Sequence, residues 1–246
     1  MAGARPQPDG PPPPPTVQRL RLRMARRGRL RFTSHRDTAR VLERAVRRAG
    51  LPIAHSAGFS PHPRISYVGA CPTGVASEAE YVEIGLTAVC DPELVRAALD
   101  AALPPGLDVL AAVAAVAGEP SLADRIEASV WSMRLPGVGD EELGAAVAAF
   151  LAAERVPVER RTKDGTRQVD ARAAVVSMQV SGGVCATLDL VVRHATPAVR
   201  PDDVLAGLRS VADLVPAAPP EATRLAQGLL ADDGELLDPL APRGYV

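Results

Sequence analysis

Residues 18–24 read QRLRLRM, so that basic and apolar side chains alternate without a break. A period of two residues predicts a β-strand with one buried apolar face and one arginine face. Residues 26–28 then predict a turn, after which Leu30 and Phe32 are expected to continue the apolar face. The first folded region should therefore begin with a half-buried strand.

A helix is expected after this strand, over residues 34–49. Ser34 is a favourable N-cap, and Asp37 places a carboxylate at the third helical position, near the exposed amides and the positive end of the helix dipole. Gly50 and Pro52 would end the helix. Strand and helix together indicate the start of a mixed α and β unit.

The later patterns complete two similar halves. In the first half, strands are predicted at 65–69 and 81–86, a helix at 91–103, and either a strand or an apolar helix at 107–117. The order β-α-β-β-α-β is that of a ferredoxin-like (split βαβ) domain. It recurs as a strand at 126–135, a helix at 140–154, a hairpin at 163–165, strands at 174–180 and 184–193, and a helix at 200–208. We therefore predict an α+β fold with two ferredoxin-like halves in tandem.

Composition suggests where these halves begin and end. Residues 1–16 are rich in proline and predict a disordered tail. The remaining predicted regions are a basic domain at 17–117, a linker at 118–125, a second αβ domain at 126–215, and an acidic, proline-rich tail at 216–246 with one helical turn at 225–230.

Charge is distributed unevenly along the chain. Residues 17–70 hold thirteen arginines against Asp37 and Glu43, a net charge of +11, whereas residues 71–246 hold fourteen basic and twenty-six acidic residues, a net charge of −12. Such a division predicts a polyanion-binding face on the basic region. The alternative is that the two charges neutralise each other within the molecule.

Several classes of protein are disfavoured by what the sequence lacks. Cys71, Cys90 and Cys185 are far apart and odd in number, which favours reduced thiols in a cytoplasmic protein. No apolar run is long enough to span a membrane. The chain also lacks CxxxCxxC, a phosphate-binding P-loop, GxGxxG, HExxH and GxSxG. We therefore expect no metal site and no cofactor in this chain.

The outer face of the predicted helix is basic. Arg36, Arg40, Arg44 and Arg48 are spaced by four residues and lie above one another on a helix. These like charges repel one another. The contrast with the acid-rich remainder of the chain favours a role in contacting phosphates, and a solvated surface is the alternative. His35 precedes them in the first turn, where it could contact a phosphate with Ser34 or simply help to cap the helix.

Residues 58–64, GFSPHPR, predict a rigid loop. Pro61 and Pro63 restrict the backbone on both sides of His62, and Gly58 permits unusual backbone angles. Phe59 would offer a surface on which bases stack, unless it is buried in the core instead. The residues assigned to nucleic-acid or ligand binding are Arg31, Ser34, His35, Arg36, Arg40, Arg44, Arg48, Gly58, Phe59, Ser60, His62 and Arg64.

An enzymatic alternative uses the same region. His35, His62 and Glu80 are candidates for general acid–base catalysis in an RNA-processing or RNA-modifying enzyme. Their spacing does not require such a role, because Glu80 could equally lie on a solvated edge or pair with an arginine. Beyond these three candidates, the sequence indicates no catalytic residue.

Four motifs occur in order, RLRFTSHRD at 29–37, RAGLP at 48–52, GFSPHPRI at 58–65 and GVASEAEY at 74–81. Together they resemble the bacterial radical SAM-linked protein family, a domain of unknown function found beside or fused to cobalamin-binding radical SAM proteins. The resemblance covers residues 17–210, and it departs from the family at Arg36, where an apolar residue is usual. It implies a radical SAM partner that carries the iron–sulfur cluster, S-adenosylmethionine and cobalamin.

Three functional hypotheses follow. The first is a non-catalytic accessory protein of a radical SAM enzyme that binds RNA or a translation-related substrate, with no DNA or membrane involved. The second is the RNA enzyme that uses His35, His62 and Glu80. A minor alternative is suggested by a similarity, in architecture only, to the endoribonucleases that process CRISPR repeat RNA. The third is a protein-binding module whose arginines pair with an acidic partner.

Overall fold

The computed structural model describes residues 12–162, 165–183 and 185–242. Within these residues the chain has mixed α and β structure, with four α-helices and eleven strands. It divides into two compact units, of which the first comprises the residues up to Gly74 together with Ala79–Ala123. The second unit comprises Val75–Glu78 and the residues from Asp124 onwards. None of the described helices has both the length and the apolar character needed to cross a membrane.

The first unit contains two α-helices and a sheet. Its elements are β1 (Gln18–Arg26), a 3-10 helix (Gly28–Phe32), α1 (His35–Arg48), β2 (Ile65–Val68), β3 (Ala76–Leu86), α2 (Pro92–Ala102) and β4 (Leu107–Ala114). The strand order is β4-β1-β3-β2, and the β1–β4 and β2–β3 pairs are antiparallel. The segment after residue 107, for which periodicity left two possibilities, is therefore a strand.

The predicted apolar face of β1 is confirmed. Leu20, Leu22 and Met24 are buried in one core cluster, against which Leu42 and Val46 of α1 pack. Burial of such aliphatic side chains contributes roughly 1.5–3 kcal/mol each. The alternation in residues 18–24 therefore identifies both the strand and the side of it that forms the core.

Two expectations for this region are wrong. The arginine face of β1 is not open to solvent at Arg21, which is 3% exposed and donates to the Glu119 carboxylate at 3.0 Å and to the Pro120 carbonyl at 2.7 Å. Leu30 and Phe32 do not extend the strand, because the backbone closes a 3-10 helix in which the Leu30 amide donates to the Arg27 carbonyl. Phe32 is consequently 60% exposed.

The prediction of α1 is confirmed in detail. Ser34 is the N-cap and its Oγ accepts a hydrogen bond from the Asp37 amide at 3.2 Å. The helix ends at Arg48, and Gly50 follows with a φ of 65°, a left-handed conformation that glycine adopts without strain.

The second unit also combines a sheet with two helices. Its elements are β5 (Ala128–Arg134), α3 (Asp140–Ala152), β6 (Pro157–Thr162), β7 (Gly165–Asp170), β8 (Val175–Ser181), β9 (Thr187–Arg193), α4 (Pro201–Ala212), β10 (Glu221–Leu230) and β11 (Leu236–Leu237). The strand order is β10-β5-β9-β8, with β11 beside β10 and with β6 and β7 forming a separate hairpin. The tip of that hairpin, predicted at 163–165, lies partly outside the described residues.

The chain after residue 216 differs from its prediction. The helical turn expected at 225–230 does not form, because residues 221–230 are strand β10, which pairs with β5 over residues 221–228 and with β11 at Leu229 and Leu230. Hydrogen bonds to a neighbouring strand supply a partner that local propensity does not reveal. The predicted disordered tail lies mostly outside the described residues, which begin at Pro12.

Candidate nucleic-acid interface of the first unit

The outer side of α1 carries an exposed basic face. It consists of Arg36, Arg40, Arg44, Arg47 and Arg48, all of which are exposed. Arg40 lies 3.5 Å from the Asp37 carboxylate, and Arg48 donates to the main-chain carbonyl of Ala102 at 3.0 Å. Within the described residues, no carboxylate pairs with Arg36, Arg44, Arg47 or Arg48. The positive charge of this face is therefore available to an external ligand.

The 58–64 loop lies beside the C-terminal half of α1. Its base is closed by main-chain hydrogen bonds from Ser56 to His62, at 2.8 Å, and from Arg64 to Ala54, at 2.7 Å. Gly58 has a φ of 130°, which residues with a side chain rarely adopt. Phe59 is 72% exposed, so the alternative that placed its ring in the core is wrong. The loop presents an aromatic ring to solvent from a braced base.

Two polar clefts are both lined by His62. The Glu43 cleft, of about 220 Å³, is lined by Glu43 and Arg47 of α1 and by His55, His62 and the two prolines of the loop. The Arg64 cleft, of about 320 Å³, is lined by Arg19, Ser56, His62, Arg64, Ser66 and Glu83, among others. His62 and Pro63 therefore belong to both clefts.

A smaller cavity, of about 20 Å³, lies at the start of α1. The His35 and Tyr67 rings meet edge to face there, with centroids 5.0 Å apart, and Glu80 and Arg26 also line the space. Burial raises the pKa of the Tyr67 hydroxyl, and the nearby charge of Glu43 raises it further. Tyr67 therefore stays a neutral hydrogen-bond donor and acceptor.

Glu80 and Arg26 brace the chain that borders this His35 cavity. The Glu80 carboxylate accepts from the Cys71 amide at 3.3 Å. Arg26, which is 2% exposed, donates through Nη2 to the carbonyls of Cys71 and Pro72 at 2.9 and 2.7 Å. Both charged groups thereby position the segment that leads into β3.

A family model matches residues 19–201, which is most of the chain. The family is described as "Uncharacterized protein conserved in bacteria (DUF2344)". The chain belongs to this family. The description names no partner and no reaction, so the link to a radical SAM protein stays a prediction.

Comparisons with other proteins add similarities at low TM-scores. An unknown protein from Galdieria sulphuraria has 14% identity and a TM-score of 0.24, with 84% of this chain and 98% of that chain covered. A heme complex of a Rhodococcus jostii RHA1 DypB variant has 11% identity and a TM-score of 0.20, with 87% and 92% covered. No curated protein matches the chain. Functional inference for this DUF2344 protein therefore depends on its own residues.

The structure divides the predicted catalytic candidates between different places. His35 and Glu80 line the same small cavity, whereas His62 lines the Glu43 and Arg64 clefts. Within the described residues, no three His, Cys, Asp or Glu side chains are arranged to hold a metal ion. Among the other predicted ligand contacts, Ser34 caps α1, Ser60 and Arg64 are exposed, and the Arg31 guanidinium lies 4.8 Å from the Phe32 ring centroid.

Three residues near these sites did not emerge from the sequence. Arg26 is one of several neighbouring arginines, and nothing local distinguishes it as the buried one. Tyr67 lies on β2 and meets α1 only in the folded unit. Glu43 had a usable signal, because it is the one acidic residue among the arginines in the second half of α1.

A histidine of the second unit should make stability depend on pH. The His194 Nε2 atom lies 2.7 Å from the Oγ of buried Ser129. His194 is exposed as a whole residue, but desolvation of its ring lowers its pKa, the positive charge of Arg224 lowers the pKa further, and a main-chain hydrogen bond to Ile126 opposes both effects. The folded state therefore favours neutral His194.

The unfolded chain binds this proton more readily than the folded one, since an ordinary histidine has a pKa of about 6.5. The contribution of His194 to stability should be complete above about pH 6.5 and should be lost as the pH falls towards the lower, folded pKa. Urea unfolding between about pH 7.5 and about pH 5 should show this loss. His194→Gln should reduce the slope of the free energy of unfolding against pH. An identical slope in that variant would contradict the assignment.

Proposed function

We propose that this DUF2344 protein is a non-catalytic accessory protein that binds RNA through the basic face of α1 and the 58–64 loop. The observation that carries the proposal is the row of exposed arginines on α1, of which only Arg40 lies beside a carboxylate among the described residues, that of Asp37. A helix of 14 residues spans about 21 Å, a length over which several consecutive phosphates can be contacted.

The loop supports single-stranded RNA as the ligand. Proteins that bind single strands combine a positively charged groove with aromatic rings on which bases stack. Phe59 is exposed at the loop, and the Arg64 cleft combines hydroxyl groups with two arginines, of which Arg19 lies beside the Glu83 carboxylate. The braced base of the loop lowers the entropy lost on binding.

We further propose a cobalamin-binding radical SAM protein as the partner, on the basis of the four sequence motifs. The iron–sulfur cluster, S-adenosylmethionine and cobalamin would belong to that partner, and this chain would supply substrate binding. Cys71, Cys90 and Cys185 form no disulfide within the described residues, and a cytoplasmic location fits the proposal.

We also propose that each unit has the ferredoxin-like topology. Strand orders β4-β1-β3-β2 and β10-β5-β9-β8 support it, because both place the fourth strand of the β-α-β-β-α-β series beside the first. In the second unit the β6–β7 hairpin is an insertion between α3 and β8.

RNA binding by the purified chain should weaken steeply with salt. A contact with four phosphates of a single strand predicts a slope of about −3 in a plot of log K against log salt. Fluorescence anisotropy with a labelled 12-nucleotide RNA should thus show roughly 50-fold weaker binding at about 200 mM than at about 50 mM salt. Affinity that stays flat over this range would contradict the proposal.

Two further measurements distinguish the other hypotheses. Shortened or modified RNA in the binding reaction, lost in His35→Ala, would favour the enzyme that uses the His35 cavity. Capture of a partner protein after nuclease treatment, with no affinity for RNA, would instead favour the protein-binding module.

A further inference from the structure

The Glu43 cleft contains polar side chains that have no partner within the described residues. The carboxylate of Glu43 and the rings of His55 and His62 make no side-chain hydrogen bond or ion pair there. All three line one space of about 220 Å³, several times the roughly 30 Å³ that a water molecule occupies in the liquid. His55 and His62 are exposed and Glu43 is half-buried, so all three are accessible to a ligand that enters the cleft. A concave site with apolar walls and a few polar side chains is typical of ligand sites.

Within the described part of the chain the Glu43 carboxylate is not paired, although an arginine lies close by on the same helix. Arg47 lies four residues further along α1, the spacing at which Glu and Arg commonly pair. Its Nε instead donates to the main-chain carbonyl of Glu43 at 3.4 Å. The carboxylate therefore remains available as an acceptor on the wall of the cleft.

The rest of the cleft suits a flat heteroaromatic ring. Ile53, Pro61 and Pro63 supply apolar surface, and the polar residues His55 and His62 also line the cleft. Arg19 and Arg64 line the larger cleft, which shares His62 and Pro63 with the first; Arg19 lies 3.5 Å from the Glu83 carboxylate, so Arg64 is the arginine that offers a phosphate its positive charge there. The two clefts thus offer places for a base and for the adjoining backbone.

We infer that the Glu43 cleft binds a nucleobase that carries an exocyclic amino group, with the adjacent phosphate in the Arg64 cleft. A carboxylate accepts hydrogen bonds from the amino groups of cytosine, adenine or guanine. Uracil has carbonyl oxygens in those places, which repel a carboxylate. The inference rests on the proposed function, since it specifies the RNA that the same surface selects.

The test measures base preference with the full chain. Eight-nucleotide oligo(A), oligo(C) and oligo(U) RNAs are titrated at one salt concentration, followed by fluorescence anisotropy. We expect oligo(A) and oligo(C) to bind at least ~5-fold more tightly than oligo(U), the low end of the discrimination produced by one base contact. Glu43→Gln offers an amide donor to the uracil oxygens and should reduce this difference to within about 2-fold.

The matched control is Glu142→Gln, an equal change of charge at an exposed position of α3 in the second unit. It should leave the preference unchanged. Equal affinity of the native protein for the three RNAs, or a preference that persists in Glu43→Gln, would overturn the inference while leaving RNA binding intact. No binding of any of the three RNAs would overturn the proposed function, and the inference with it.

Discussion

Replacement of Arg36, Arg40, Arg44 and Arg48 by glutamate should abolish RNA binding. Each arginine lost from a phosphate contact removes a charge-assisted hydrogen bond, and each glutamate adds repulsion. Four such changes, at about 1 kcal/mol or more each, predict a loss of affinity of roughly 1,000-fold or greater. Because these side chains are exposed, the fold should survive the substitution.

Anisotropy with the purified proteins and crosslinking in cells, followed by sequencing of bound RNA, would measure this loss. The control is Arg161, Arg167, Arg193 and Arg209→Glu, which changes the net charge equally at exposed positions of the second unit. The control should retain most of the affinity. An equal loss in both variants would show that total charge, rather than the basic face of α1, attracts the RNA.

Substitution of Arg26 by methionine should produce the largest loss of stability. Arg26 is among the largest fully buried side chains, and its guanidinium donates to the carbonyls of Cys71 and Pro72. Methionine replaces much of the volume but none of the donors, so the carbonyl of buried Cys71 and that of Pro72 lose these hydrogen bonds. The expected cost is about 2–5 kcal/mol in the free energy of unfolding.

Urea denaturation would measure this cost, with Arg29→Met as the matched control. Arg29 is exposed and lies three residues away, so its substitution should change the free energy of unfolding by less than about 0.5 kcal/mol. Hydrogen exchange should also become faster at the amides of residues 69–74 in Arg26→Met, since Arg26 anchors that segment. Unfolding of Arg26→Met at the urea concentration of the native protein would refute the structural role.

Local sequence patterns were sufficient to predict the elements that depend on neighbouring residues. The alternation in residues 18–24 predicts β1 and its buried face, because side chains of a strand point in opposite directions in turn. Ser34, Asp37 and Gly50 predict both ends of α1, since capping depends on neighbouring residues. The four-residue spacing of the arginines likewise predicts that they share one face of that helix.

Other features depended on contacts between residues that are far apart in the chain. Residues 221–230 become β10 only because β5 offers free hydrogen-bonding groups along its edge. Arg21 is buried, although it occupies the polar side of an amphipathic strand, because Glu119 and Pro120 meet its guanidinium. Neither partner can be recognised from the local pattern.

The candidate site likewise combines features that the sequence predicts with features that depend on packing between elements. The sequence by itself determined the basic face of α1, because helical geometry places residues four apart together. It also determined the rigid, proline-flanked loop around His62. Only the tertiary structure placed that loop against α1, so that Glu43, His55 and His62 line one cleft, and left the ring of Phe59 in solvent. The physical reason is that a cleft is formed by packing between elements, whereas periodicity describes each element alone.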